Sequence, residues 1–137
     1  RYSPRMHRSR LGQIVIDCNG DLERAAAFWA AALGHRASPL ADPQDAHYRQ
    51  LDVEGDQPRI LLQRVEHPSR VHLDIETDDL EAEVRRLEAL GARRIAHVRT
   101  WWVMEAPTGH RFCVLRPQRP DFASRAFAEH GGSRGGH

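Results

Sequence analysis

Val71-His72-Leu73-Asp74-Ile75-Glu76, then Asp79-Leu80-Glu81, then Leu90-Gly91: this stretch decides the fold, because an earlier one has the same pattern. Val71 to Glu76 alternates apolar with polar and reads as a strand. Asp78 or Asp79 caps a helix whose Leu80, Val84, Leu87 and Leu90 form an apolar stripe, and Gly91 stops it. In the first half Gln13-Ile14-Val15-Ile16-Asp17 alternates in the same way. Asp21-Leu22-Glu23 then opens a helix with Leu22, Ala26, Trp29 and Leu33 on one face, and Gly34 ends it. Asp-Leu-Glu after a strand and Leu-Gly at the helix end, twice, is an internal repeat.

Three shorter strands are expected after each helix. In the first half they fall near 35–40, 47–54 and 59–65; in the second, near 93–98, 100–105 and 111–116. Ala106-Pro107-Thr108-Gly109 is the turn joining the last two. The expected order is therefore βαβββ twice, an α+β fold with modules at 11–65 and 71–116 and Glu66-His67-Pro68-Ser69 between them. One face of each sheet packs on its helix, and the other faces are expected to line a shared cleft.

Composition narrows the function classes. Charged residues make up 28% of the 137 and hydrophobic residues 40%, which describes an ordinary globular chain. All 20 basic residues are Arg, so Schiff-base catalysis and a Lys-dependent phosphate loop are excluded. Two Cys cannot form a disulfide framework or a four-thiolate metal site. The longest unbroken apolar run, Ala25 to Leu33, is far short of the ~20 residues that span a bilayer. No secretory signal follows the N-terminal arginines. A cytoplasmic protein with no membrane or nucleic-acid partner is expected. Residues 1–10 read as a basic N-terminal tail and 117–137 as a C-terminal tail, with 131–137 disordered.

The order and its motifs resemble the vicinal oxygen chelate superfamily, which includes glyoxalases, extradiol dioxygenases and bleomycin-resistance proteins, and within it an actinobacterial glyoxalase-like branch. The resemblance rests on Phe28-Trp29-Ala-Ala-Ala-Leu-Gly34, on Val71-His-Leu-Asp-Ile75 with Asp78-Asp79-Leu80-Glu81, and on Pro107-Thr-Gly-His-Arg-Phe-Cys-Val-Leu115. It implies a glyoxalase-like domain over roughly 11–116, and a homodimer. It also implies a metal site with one ligand from the first and one from the last strand of each half. In this chain those positions are Gln13, Gln63, His72 and Cys113. Two amides, an imidazole and a thiol lack the carboxylates that a hard divalent cation requires, and they underfill a zinc site. No metal or other cofactor is expected; the alternative is a divalent-metal enzyme of glyoxalase or dioxygenase type with an altered ligand set.

Strand alternation lists what the open faces present. His72 brings Asp74 and Glu76 to its side, while Val71, Leu73 and Ile75 turn to the helix. Gln13, Val15 and Asp17 share a face. A symmetric hairpin sets Cys113 opposite Val103, with Trp101 on the same side; a one-residue slip would put Met104 and Trp102 there instead. The expected ligand-binding set is Gln13, Asp17, Gln63, His72, Trp101, Val103 and Cys113, with His72 and Asp74 as the acid–base pair. Each also has a plain reading: His72 as a hydrogen-bonded strand residue, Asp74 as a solvated charge, Cys113 as a small buried side chain. Arg49, Arg64 and Arg99 are candidate anion binders. The functional expectation is a protein that binds a small organic molecule, either as a binder or resistance protein or as a metal-free lyase or isomerase.

Overall fold

Residues 6–55 and 57–128 are described by a computed structural model. The remainder, including the tail expected to be disordered, lies outside the described residues. The chain runs β1 (Arg8–Asn19), α1 (Leu22–Leu33), β2 (Ala37–Pro39), a 3₁₀ turn (Pro43–Asp45), β3 (Tyr48–Leu51) and β4 (Arg59–Val65), then β5 (Arg70–Thr77), α2 (Leu80–Ala89), β6 (Arg93–Val98), β7 (Trp101–Glu105) and β8 (Arg111–Leu115). These are the two βαβββ modules. A short helix α3 (Phe122–Arg125) and strand β9 (Phe127–Ala128) follow. The chain divides into two compact units: residues 13–73, and the residues up to Gly12 together with those from Asp74 onward.

In the unit of residues 13–73 the strand order is β2-β3-β4-β1. β4 lies parallel to β1, with Gln13 beside Arg59 and Asp17 beside Gln63. The Asp21 carboxylate accepts from the backbone N–H groups of Glu23 and Arg24, and Gly34 ends α1 in the left-handed region at φ 74°. One sheet face packs on this helix through Cys18, Leu51 and Leu62 against Leu22, with Ile16, Trp29 and Ile60 around them. Leu33, expected on the inner stripe, is instead exposed at the last position of α1. The Asn19 side-chain amide donates to the carbonyls of Val65, Glu66 and His67, which fastens the connector to the end of β1.

In the other unit β8, β7 and β6 follow β5 in order. Val84 and Leu87 of α2 pack on Met104 and Val114, with Ile75, Trp102 and Phe112 around them. The Asp79 carboxylate accepts from the Ala82 N–H and caps α2. The hairpin has the symmetric register, Val103 opposite Cys113. Trp102 is therefore on the helix side, between the Arg94 guanidinium and the His97 ring. Trp101, Val103 and Cys113 face the other way. Leu90, placed on the α2 stripe by its spacing, is exposed.

The terminal segments depart from the expected solvated tails. β1 begins at Arg8, and β9 pairs with it antiparallel, Arg8 opposite Ala128 and Ser9 opposite Phe127. The cause is electrostatic. Glu76 and Glu83 are fully buried in this unit, and N-terminal residues supply Glu76 with a cation and Glu83 with a hydrogen bond. The buried Arg10 guanidinium meets Glu76 at 2.9 Å and Asp121 at 2.9 Å. His7 Nε2 lies 2.7 Å from Glu83, which Arg86 also grips at 2.7 Å. Gly12 is needed here because a Cβ would fall 2.3 Å from Glu76 Cγ.

Burial alone would raise the Glu83 carboxyl, but hydrogen bonds from Arg86 and His7 outweigh it and hold the group below its ordinary value. The stabilisation is complete above the unfolded pKa, about 4.5, and is lost as pH falls through the lower folded value. Glu83→Gln should therefore cost stability at neutral pH, and urea melts should show that cost shrinking between about pH 5 and 3. A pH-independent gap would mean that Glu83 acts through shape alone.

Candidate functional site

The face of the 13–73 sheet turned away from α1 follows from alternation. β1 contributes Gln13, Val15 and Asp17. Their β4 neighbours Arg59, Leu61 and Gln63 join them, and Tyr48 and Gln50 follow on β3. Gln13, Val15, Asp17 and Leu61 are buried; Tyr48, Gln50, Arg59 and Gln63 are half-buried. Apolar and polar groups thus share one strip, the composition of small-molecule sites.

Two polar groupings organise it. His72 Nδ1 lies 2.9 Å from Asp17 Oδ2, with the Asp17 side chain 2% exposed and the His72 ring 14% exposed. A carboxylate facing Nδ1 holds the N–H there and orients the ring. The other Asp17 oxygen is buried without a hydrogen-bond partner among the described residues, so imidazole is the main group this carboxylate serves. Arg70 reaches the same carboxylate only at 3.8 Å, from a largely exposed side chain. The second grouping is Arg59. Its Nε donates to Gln13 Oε1 at 2.9 Å, Nη2 donates to the same oxygen, and Nη1 reaches Gln50 Oε1 at 3.4 Å.

Gln13, Asp17, Gln63 and His72 are thus on one side of this unit's sheet, as expected. The partner that orients His72 is Asp17, which the sequence suggested only as a ligand contact. In the other unit Asp74 is buried, and its carboxylate lies within 4.8 Å of the Cys113 sulfur. Trp101 and Val103 are half-buried on the open face of β7. Glu76, which shares the Asp74 side of β5, accepts from Arg10 and from the Gln118 N–H, and so serves the fold.

Arg59 escaped the sequence reading, although the alternation that selected Gln63 also selects residues 61 and 59. The arginines singled out instead are engaged elsewhere. Arg49 binds Glu23 and the carbonyls of Ala46 and Tyr48. Arg64 pairs with Glu66. Arg99 sits in the β6–β7 turn with φ 52°.

The metal positions implied by the resemblance can be tested on this geometry. Gln13 would have to offer its amide oxygen, and that oxygen accepts two N–H groups from the Arg59 guanidinium. The guanidinium takes up the lone pairs and sets a fixed positive charge beside any incoming cation. With an amide rather than a carboxylate at Gln63 beside it, the Gln13 and Gln63 positions do not fit a hard divalent cation.

Comparison with known proteins bears on the class. The glyoxalase-like domain family model matches residues 13–115. The chain belongs to this family, within the vicinal oxygen chelate superfamily. Similar solved structures include a methylmalonyl-CoA epimerase in complex with methylmalonyl-CoA and NH4+, 16% identical, TM-score 0.57, over 80% of this chain and 95% of that one. A variant of the Streptomyces coelicolor methylmalonyl-CoA epimerase in complex with 2-nitronate-propionyl-CoA is 16% identical, TM-score 0.56, over 80% of this chain and 98% of that one. A protein described as an NAD-dependent benzaldehyde dehydrogenase from Legionella pneumophila is 12% identical, TM-score 0.55, over 77% of this chain and 98% of that one. At these identities the likeness is one of fold. No curated protein matches the sequence. Among the described residues, no helix is long and apolar enough to cross a membrane.

Proposed function

We propose that this chain binds a small organic carbonyl compound and moves a proton on it without a metal, as an isomerase or lyase, with His72 as the acid–base group. The observation that carries this reading is the Asp17–His72 pair: a buried carboxylate behind a half-buried imidazole, the arrangement that orients a general base. Nε2 takes a proton from the carbon beside the carbonyl, and the C–H electron pair moves onto the carbonyl oxygen. Asp17 stabilises the imidazolium that forms. Gln63, beside Asp17 on β4, and Arg59 supply N–H donors for the substrate's oxygens. The proton then returns to another position, or a leaving group departs. The protein acts as a homodimer in the cytoplasm, with no nucleic-acid or membrane partner.

The test is hydrogen exchange. The purified chain is incubated in D2O with a 2-oxo acid, a 2-hydroxyketone and a malonyl-type acyl thioester, and deuterium uptake is followed by mass spectrometry. At least one probe should exchange, and His72→Gln should slow that exchange about 10²–10⁴-fold. Exchange that survives His72→Gln sinks the assignment. Tight binding of the probes with no exchange makes the protein a binder instead.

A further inference from the structure

The two module helices differ on their outer faces, and the difference points to a partner. α2 turns Glu81, Arg85 and Glu88 to solvent. Glu81 pairs with Arg85 at 2.9 Å and with Arg94 at 2.7 Å, and those two arginines draw its carboxyl down to about 2. That is the ordinary surface of a solvated helix. α1 has one such pair, Glu23 with Arg49 at its N-terminal end, and none along the rest of its outer face among the described residues. Arg24, Ala27, Phe28 and Ala31, spaced i, i+3, i+4 and i+7 along one stripe, are all exposed, as is Ala32. Phe28 is 62% exposed and Leu33 43%. From Ala25 onward α1 is apolar on every side, and such a surface is ordinarily covered.

We infer that the outer stripe of α1 is the surface through which a second copy of this chain docks, the two helices antiparallel about a twofold axis. The inference deepens the homodimer of the proposed function by naming its face. Self-complementarity is built into the spacing. Reversing one helix about the point between Ala27 and Phe28 sets Phe28 against the partner's Ala27, large into small, and Arg24 against the partner's Ala31. Such an isologous contact closes on itself.

Charge supports the same orientation. Arg24 sits in the first turn, where the helix dipole opposes a cation, and it has no acidic partner among the described residues. The last turn of α1 carries no basic residue, so its terminal carbonyls lack a cation. Antiparallel docking sets each Arg24 opposite the partner's Ala31, within the last turn of the facing helix, and meets both deficits at once. One helix stripe covers less than the ~800 Å² per partner of standard interfaces, so the dimer is weak, with Kd in the micromolar range.

Sedimentation velocity of the full chain between about 1 and 200 µM tests this. Wild type should pass from monomer to dimer. Phe28→Glu should raise Kd at least a hundredfold, and Arg24→Glu about tenfold, with circular dichroism melts reporting that each variant is folded. Ala27→Cys, next to the axis, should form a disulfide-linked dimer on mild oxidation. A wild-type chain that stays monomeric at 200 µM overturns both the surface and the homodimer. A dimer that survives Phe28→Glu overturns the surface while leaving the homodimer standing. Neither outcome touches the exchange chemistry of His72, which is measured separately.

Discussion

Glu76→Leu is expected to destabilise the fold by about 3–5 kcal/mol, the usual cost of leaving a buried ionic partner uncompensated. Glu76 is fully buried, and its two oxygens take Arg10 Nε at 2.9 Å and the Gln118 N–H at 3.0 Å. Removing the carboxylate leaves Arg10 with Asp121 alone, and the Asp121 side chain is 34% exposed. It also leaves the Gln118 N–H without an acceptor, and Gly12 without the side chain that its missing Cβ accommodates. At about 2 kcal/mol per M of urea, the unfolding midpoint should fall by roughly 2 M. A loss under about 1 kcal/mol would mean that Asp121 suffices for Arg10 and that the carboxylate contributes little net.

Asp17→Asn should slow the exchange reaction about 10²–10⁴-fold while leaving the fold in place. The substitution keeps the volume, so Val15 and Leu61, its buried neighbours on that face, stay packed. What changes is the proton. In the proposed reaction the carboxylate accepts from Nδ1 and Nε2 acts as the base; an amide can present its NH2 group to Nδ1 instead, which moves the ring hydrogen to Nε2 and blocks that role. Imidazolium is also no longer stabilised by a facing charge. The measurement is the pH profile of exchange in wild type and variant, beside urea melts. A variant with the wild-type rate and profile would show that Asp17 only packs, and His72 would then work without it.

Much of the fold was legible because it depends on short-range pattern. Asp21 and Asp79 cap helices by reaching N–H groups two or three residues ahead, and Gly34 takes a left-handed turn that other residues resist; both are local in the chain. The Pro107–Gly109 turn narrowed the last hairpin to two registers, and the pairing of Val103 with Cys113 decided for the one that puts Trp101, Val103 and Cys113 on one side. The helix ends were less legible. Leu33 and Leu90 continue the apolar spacing, yet both are exposed, since periodicity does not tell where packing stops.

What the residues alone determined, then, is the repeated βαβββ order, the caps, and the absence of lysine chemistry; of the β5 residues expected to face the helix, Ile75 packs there while Val71 and Leu73 are exposed. Tertiary structure decided the pairings between distant segments. Asp17 and His72 are 55 positions apart, Gln13 and Arg59 are 46 apart, and Arg10 and Glu76 are 66 apart. No periodicity in either segment records which strand lies beside which or at what register. A buried charge must be matched wherever the fold happens to place it. For that reason arginines that look like a solvated tail are built into the fold, a guanidinium sits on the oxygen that a metal would need, and the carboxylate that hydrogen-bonds His72 comes from the first strand of the chain.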